Sequence, residues 1–135
     1  NLKAVQSSAI FEGGVDILET IIMNFEGNKM ATLQSGVREI SDRMGSIFGT
    51  KGYIQVQNIN NPEKITVFNQ NHEETASYFP PKQITGYEYE VRACKKALEE
   101  GKIECPEMPH AETVRIMEIM DGLRKSWGYE IPEVY

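Results

Sequence analysis

Two stretches near the end of the chain each carry a single apolar stripe, and neither can be stable without a surface to cover. Residues 85–132 read as two helices joined by a short proline-bearing loop. Thr85 and Glu88 have the Thr-x-x-Glu spacing of a capping box, so the first helix is expected to begin near Gly86. Tyr87, Val91, Cys94 and Leu98 recur at helical spacing, which puts them on one face, and Gly101 supplies a left-handed stop. Pro109 suits a first helical position, and Ile116, Met120, Leu123 and Trp127 repeat the pattern until Gly128.

The covered surface must come from the first two-thirds of the chain. Residues 3–11 alternate weakly, with Val5, Ser7, Ala9 and Phe11 on one side, before Gly13-Gly14 turns the chain. Residues 16–25 are rich in β-branched side chains and apolar on both faces. Glu26-Gly27-Asn28-Lys29 suits a hairpin, which returns residues 30–35 antiparallel to them. Residues 46–48 and 53–57 pair around Gly49-Thr50-Lys51-Gly52, and residues 64–68 complete about six strands. The expected class is α+β: an open, mainly antiparallel sheet with both helices packed on one face.

Two helices cover only one side of such a sheet. The expected partner for the other side is a second copy of the chain, packed face to face as a homodimer; the alternative is ordinary scatter of exposed hydrophobes.

The 135 residues suffice for one domain burying roughly two-thirds of its unfolded surface. With 14 basic and 20 acidic residues the formal charge is -6, which argues against nucleic acid or an anionic membrane as the main partner. No run approaches the ~20 apolar residues of a membrane span. Cys94 and Cys105 read as reduced thiols rather than a secreted disulfide framework, so a cytoplasmic protein is expected. Asn1 is not an initiator methionine and the chain enters a strand at once, which suggests part of a longer polypeptide.

Reactive chemistry is sparse. Gly49-Thr50-Lys51-Gly52 lacks the order of a phosphate loop and reads as a turn. His72 and His110 have no second ligand at metal spacing. His72 reads as solvated loop, though a proton-relay role is conceivable there, and His110 as incidental in a first helical turn. Cys94 reads as a small core hydrophobe. No catalytic, cofactor-binding or metal-ligating residue is expected in this chain.

Several segments in order resemble one family: Gly14-Val15-Asp16-Ile17, Asn24-Phe25-Glu26-Gly27-Asn28-Lys29-Met30-Ala31, Phe48-Gly49-Thr50-Lys51-Gly52-Tyr53-Ile54, Asn61-Pro62-Glu63-Lys64-Ile65 and Gly86-Tyr87-Glu88-Tyr89-Glu90-Val91. Leu98-Glu99-Glu100-Gly101-Lys102-Ile103-Glu104-Cys105-Pro106, Met108-Pro109, Ile116-Met117-Glu118-Ile119-Met120-Asp121 and Trp127-Gly128 continue the match. Together they resemble the C-terminal part of the glucose-fructose oxidoreductase and inositol dehydrogenase family (Gfo/Idh/MocA), in its dihydrodiol dehydrogenase-like branch.

The resemblance implies that residues 1–135 form a C-terminal substrate-binding and oligomerisation domain, without the N-terminal Rossmann domain. It implies NAD(P) and a small-molecule substrate for the parent enzyme, with no cofactor held by this piece. The family's Glu-Lys-Pro lysine would lie outside the chain; Glu63-Lys64-Ile65 lacks the proline and falls in a strand. By position in the family, Asn60, Asn61 and Pro62 in one turn and Tyr78, Phe79 and Pro80 in a loop are the substrate-pocket candidates. Two readings follow: the substrate-binding and dimerisation domain of an NAD(P)-dependent oxidoreductase of a sugar, polyol or dihydrodiol, or a free-standing dimerisation or small-ligand-binding module.

Overall fold

The computed structural model describes residues 1–129; the last residues of the 85–132 stretch, 130–132, lie outside them. The described residues form seven strands and two helices, divided between two compact units. One unit is built from Asn1–Glu39 and from Pro109 onward, the other from Ile40–Met108.

In the first unit β1 (Leu2–Glu12), β2 (Val15–Phe25) and β3 (Lys29–Gly36) make an antiparallel sheet in that order. Gly13 and Gly14, with φ of 60° and 80°, close the first hairpin as a two-residue turn, so Glu12 pairs with Val15. Phe25 pairs with Lys29 across the second hairpin. Beyond the ladder, Arg38 donates a two-pronged hydrogen bond to Glu12, at 2.7 and 2.8 Å.

Helix α2 (His110–Ser126) belongs to this unit. It is docked through its end: Trp127 Nε1 donates to the Ser7 hydroxyl at 2.9 Å, and the indole meets the Phe11 ring edge-on. The Val5/Ser7/Ala9 side of β1 is half-buried while Gln6, Ser8 and Ile10 are exposed, as the alternation predicts. Cross-strand register carries the other face through Gln6, Ile22 and Thr32, then Ile10 and Leu18, and it includes the exposed Met30.

The second unit holds β4 (Gly45–Gly49), β5 (Gly52–Gln57), β6 (Lys64–Asn69) and β7 (Glu74–Tyr78), again antiparallel in sequence order. One face stacks Tyr53 on Phe68 at 4.7 Å with Phe48 beside them; the other carries Ile47, Ile54 and Val67 in register. Gly52 makes the β4–β5 turn possible. Its φ is +149°, and a β-carbon there would stand 2.0 Å from the Phe68 carbonyl oxygen.

Helix α1 (Tyr87–Glu99) follows in the same unit. The α+β class, the antiparallel pairing and the two C-terminal helices are as expected. Two features differ. Among the described residues the strands number seven in two sheets rather than about six in one, because residues 37–44 separate β3 from β4 with no ladder between them and because β7 hides in a polar stretch. The side of α1 that is withdrawn from solvent is Tyr89, Ala93 and Ala97, whereas Tyr87, Val91, Cys94 and Leu98 are exposed. Small alanines allow a helix backbone to approach its neighbours closely, and here fit outweighs bulk.

Candidate functional site

The β5–β6 connection and the chain leaving β7 meet at one end of the four-stranded sheet, because Gln57 pairs with Lys64 and Ile65 with Tyr78. The connection turns tightly: Asn58 is left-handed at φ 55°, the Asn61 N–H donates to the Asn58 carbonyl at 3.0 Å, and the Glu63 N–H donates to Gln57 at 3.1 Å. The Asn58 amide donates to the Glu63 carboxylate at 2.8 Å, which leaves its own Oδ1 buried and without a partner in the protein.

Of the sequence-predicted pocket residues, Asn61 is half-buried and does structural work. Its amide donates to the Thr85 carbonyl at 3.4 Å, and its Oδ1 lies 2.9 Å from where a β-carbon on Gly86 would be. Gly86 has φ +93°, so both its conformation and its contact require glycine. Asn60 and Pro62 are exposed on the same turn.

Tyr78 closes β7 rather than lying in a loop, and Phe79 follows it; both are exposed. The Lys64 ammonium sits 5.9 Å from the centre of the Phe79 ring and 3.6 Å from the Glu74 carboxylate. A hydrogen bond from Ser77, then Lys64, holds Glu74 below the usual carboxylate range. The end of the sheet thus offers amides, an aromatic face and a cation.

Where the segment enters α1, the Glu88 carboxylate accepts the N–H groups of Ile84, Thr85 and Gly86 at 2.5, 3.3 and 2.9 Å. The Thr85 hydroxyl accepts the Tyr87 N–H, which completes the expected capping pair with a different partner residue. The Ile84 donor foremost, with Glu88's own N–H and the Thr85 and Gly86 donors, holds the Glu88 carboxyl down at about 2. Tyr89 then donates to the Pro81 carbonyl at 3.0 Å, which fixes the chain after β7 to the helix.

The first unit carries a concave surface of about 710 Å³ between β1 and α2, with Val5, Ser7, Phe25, Ile119 and Leu123 among its walls and Glu112 and Arg115 at its polar side. Arg115 Nε donates to Glu112 at 2.9 Å, and this guanidinium holds the Glu112 carboxyl below its ordinary range. None of the sequence-predicted pocket residues lines it. His72, at φ 63°, ends up 5.7 Å from the Tyr53 ring in the β6–β7 turn. Among the described residues no group of three or more His, Cys, Asp or Glu side chains could hold a metal ion, and no helix is long and apolar enough to cross a membrane.

Sequence reasoning missed Asn58, Lys64 and Glu74. Asn58 left one signal, a left-handed-tolerant residue before Asn-Asn-Pro; the Lys64–Glu74 pair spans two strands, one of which the sequence did not reveal.

No protein-family model matches the chain. It is 30% identical over 131 residues to the trans-1,2-dihydrobenzene-1,2-diol dehydrogenase of Xenopus laevis, covering 91% of this chain and 39% of that protein. The enzyme of the same name from Mus musculus is 25% identical over 134 residues, covering 92% and 38%, and that from Homo sapiens 25% over 127 residues, covering 90% and 38%. The chain spans less than two-fifths of the length of the curated relatives it matches. Along nine-tenths of its own length, then, the chain is homologous to part of the trans-1,2-dihydrobenzene-1,2-diol dehydrogenases.

Proposed function

We propose that this chain is the C-terminal substrate-binding and dimerisation domain of an NAD(P)-dependent oxidoreductase acting on a sugar, polyol or dihydrodiol, and that it is inactive alone. The observation that carries this reading is the span of the homology: most of this chain aligns with little more than a third of each dihydrodiol dehydrogenase. Hydride transfer needs a cofactor held against the substrate and a positioned proton donor, and both are assigned to the dinucleotide half of the parent.

Within the proposal, the turn at Asn60, Asn61 and Pro62 and the exposed Tyr78 and Phe79 form part of the substrate wall. Their support is that one sheet end gathers both stretches, with Lys64 between them. A polyol or diol pairs hydroxyls with amide groups and lays its carbon frame on an aromatic face, which this combination provides. The homodimer is proposed to use the β1–β2–β3 face that carries Ile10, Leu18 and Ile22, supported by its exposed apolar residues among Gln and Thr. The protein is proposed to work in the cytoplasm.

The test is to recover the native gene product with an antiserum against this chain, measure its mass and assay dihydrodiol- or polyol-dependent reduction of NAD(P)+. A product several tens of kilodaltons above 15.3 kDa with that activity is expected. A product at the fragment's own mass overturns the reading in favour of a free-standing module. The isolated chain is expected to leave nicotinamide fluorescence unquenched.

A further inference from the structure

Cys94 and Cys105 have no part in the candidate site, yet their sulfurs are 3.7 Å apart. Cys94 is exposed on α1, and Cys105 lies in the connection after it, where its carbonyl accepts the Met108 N–H at 3.1 Å and it bridges to Met108. The return that brings them together is built locally: Gly101 is left-handed at φ 68°, and the Lys102 N–H donates to the Ala97 carbonyl at 2.8 Å. A disulfide needs its sulfurs at about 2.05 Å, so closure requires the two sulfurs to approach by about 1.7 Å.

We propose that Cys94 and Cys105 are a thiol modification site, which closes to an intramolecular disulfide by exchange with a low-molecular-weight disulfide of the glutathione type. The exposed Cys94, as its thiolate, attacks one sulfur of the small disulfide, whose S–S bond breaks and releases one small thiol after protonation. Cys105 then gives its proton to solvent and attacks the Cys94 sulfur, and the second small thiol leaves. Two protein thiols are oxidised by two electrons as one disulfide is reduced to two thiols. The Cys105 S–H donates to the Cys94 sulfur, and this bond, with burial and the charges of Cys94 and Glu107, pushes the Cys105 thiol above its usual range. Exposure suits Cys94 as the attacking group, and a half-buried position 3.7 Å away suits Cys105 as the resolving one. Closure ties α1 to the Cys105–Met108 turn within one compact unit.

The 135-residue chain should be equilibrated with mixtures of oxidised and reduced glutathione at mildly alkaline pH, trapped by alkylation and weighed, in buffer and in guanidinium. In buffer both thiols should vanish together into a monomeric disulfide that dithiothreitol reverses, with an equilibrium constant at least about tenfold above that in guanidinium. Cys105→Ser should stop at a glutathione adduct on Cys94. An equal constant in the two solvents, a stable glutathione adduct on the unmodified chain, or disulfide-linked dimers would overturn the proposal. These outcomes do not depend on the oxidoreductase reading.

Discussion

Glu88 shows how much one half-buried side chain can organise. Three backbone donors from the segment before α1 converge on it, and they prefer the charged carboxylate, which is why its carboxyl sits at about 2 rather than in the ordinary range. A depressed folded-state value means the stabilisation is complete above the unfolded value near 4.5 and is lost as pH falls through about 2. Far-UV circular dichroism is therefore expected to show part of the helix signal lost between those limits, and Glu88→Gln should remove that step while lowering helicity at neutral pH. Gly86→Ala must force a left-handed alanine and crowd Asn61; chemical denaturation should register a loss of about 1–2 kcal/mol. Gly52→Ala is expected to cost more, about 2–3 kcal/mol, since its obstacle is a backbone carbonyl that cannot swing away.

At the scale of elements, the joint between α2 and its sheet rests on Trp127, whose indole reaches Ser7. Ser7→Ala leaves a half-buried N–H without its acceptor, and calorimetry should show destabilisation of about 1 kcal/mol. Turns and helix limits were the legible part of the sequence: Gly13-Gly14, Gly27-Asn28, Gly49 to Gly52 and Gly101 all punctuate where expected, because left-handed backbone selects those residues. Strand β7 was illegible. Its Glu-Thr-Ala-Ser-Tyr has too little apolar contrast, after the polar run from Asn69, to announce a face. The stripe on α1 misled for a related reason, since periodicity identifies which residues share a face but not whether that face or the alanine side beside it meets the protein. For the candidate site, the family likeness pointed to Asn61 and Phe79, whereas Lys64 and Glu74 meet only through pairing of β6 with β7, which no local pattern encodes.

At the scale of the whole molecule, few side chains are withdrawn from water: among the described residues only Ala97, Leu123 and Thr66 are buried. A chain of this length would ordinarily hide far more. Large apolar groups on several elements instead remain open, which supports the proposal that further protein covers them. If a second copy covers the β1–β2–β3 face, Ile22→Glu should raise the dimer dissociation constant by about a hundredfold, and light scattering at micromolar concentration should report a monomer. A monomeric unsubstituted chain would remove the interface.

The division into units also fixes an order of events. The Ile40–Met108 unit is one continuous segment, closed by hairpins and a nearby helix, while the three-stranded sheet waits for a helix that arrives some 120 positions after Ser7. Bridging such a separation costs chain entropy before any contact repays it, and long-range closures are slow. During synthesis, then, the Ile40–Met108 unit can finish folding while β1, β2 and β3, made before it, still lack α2.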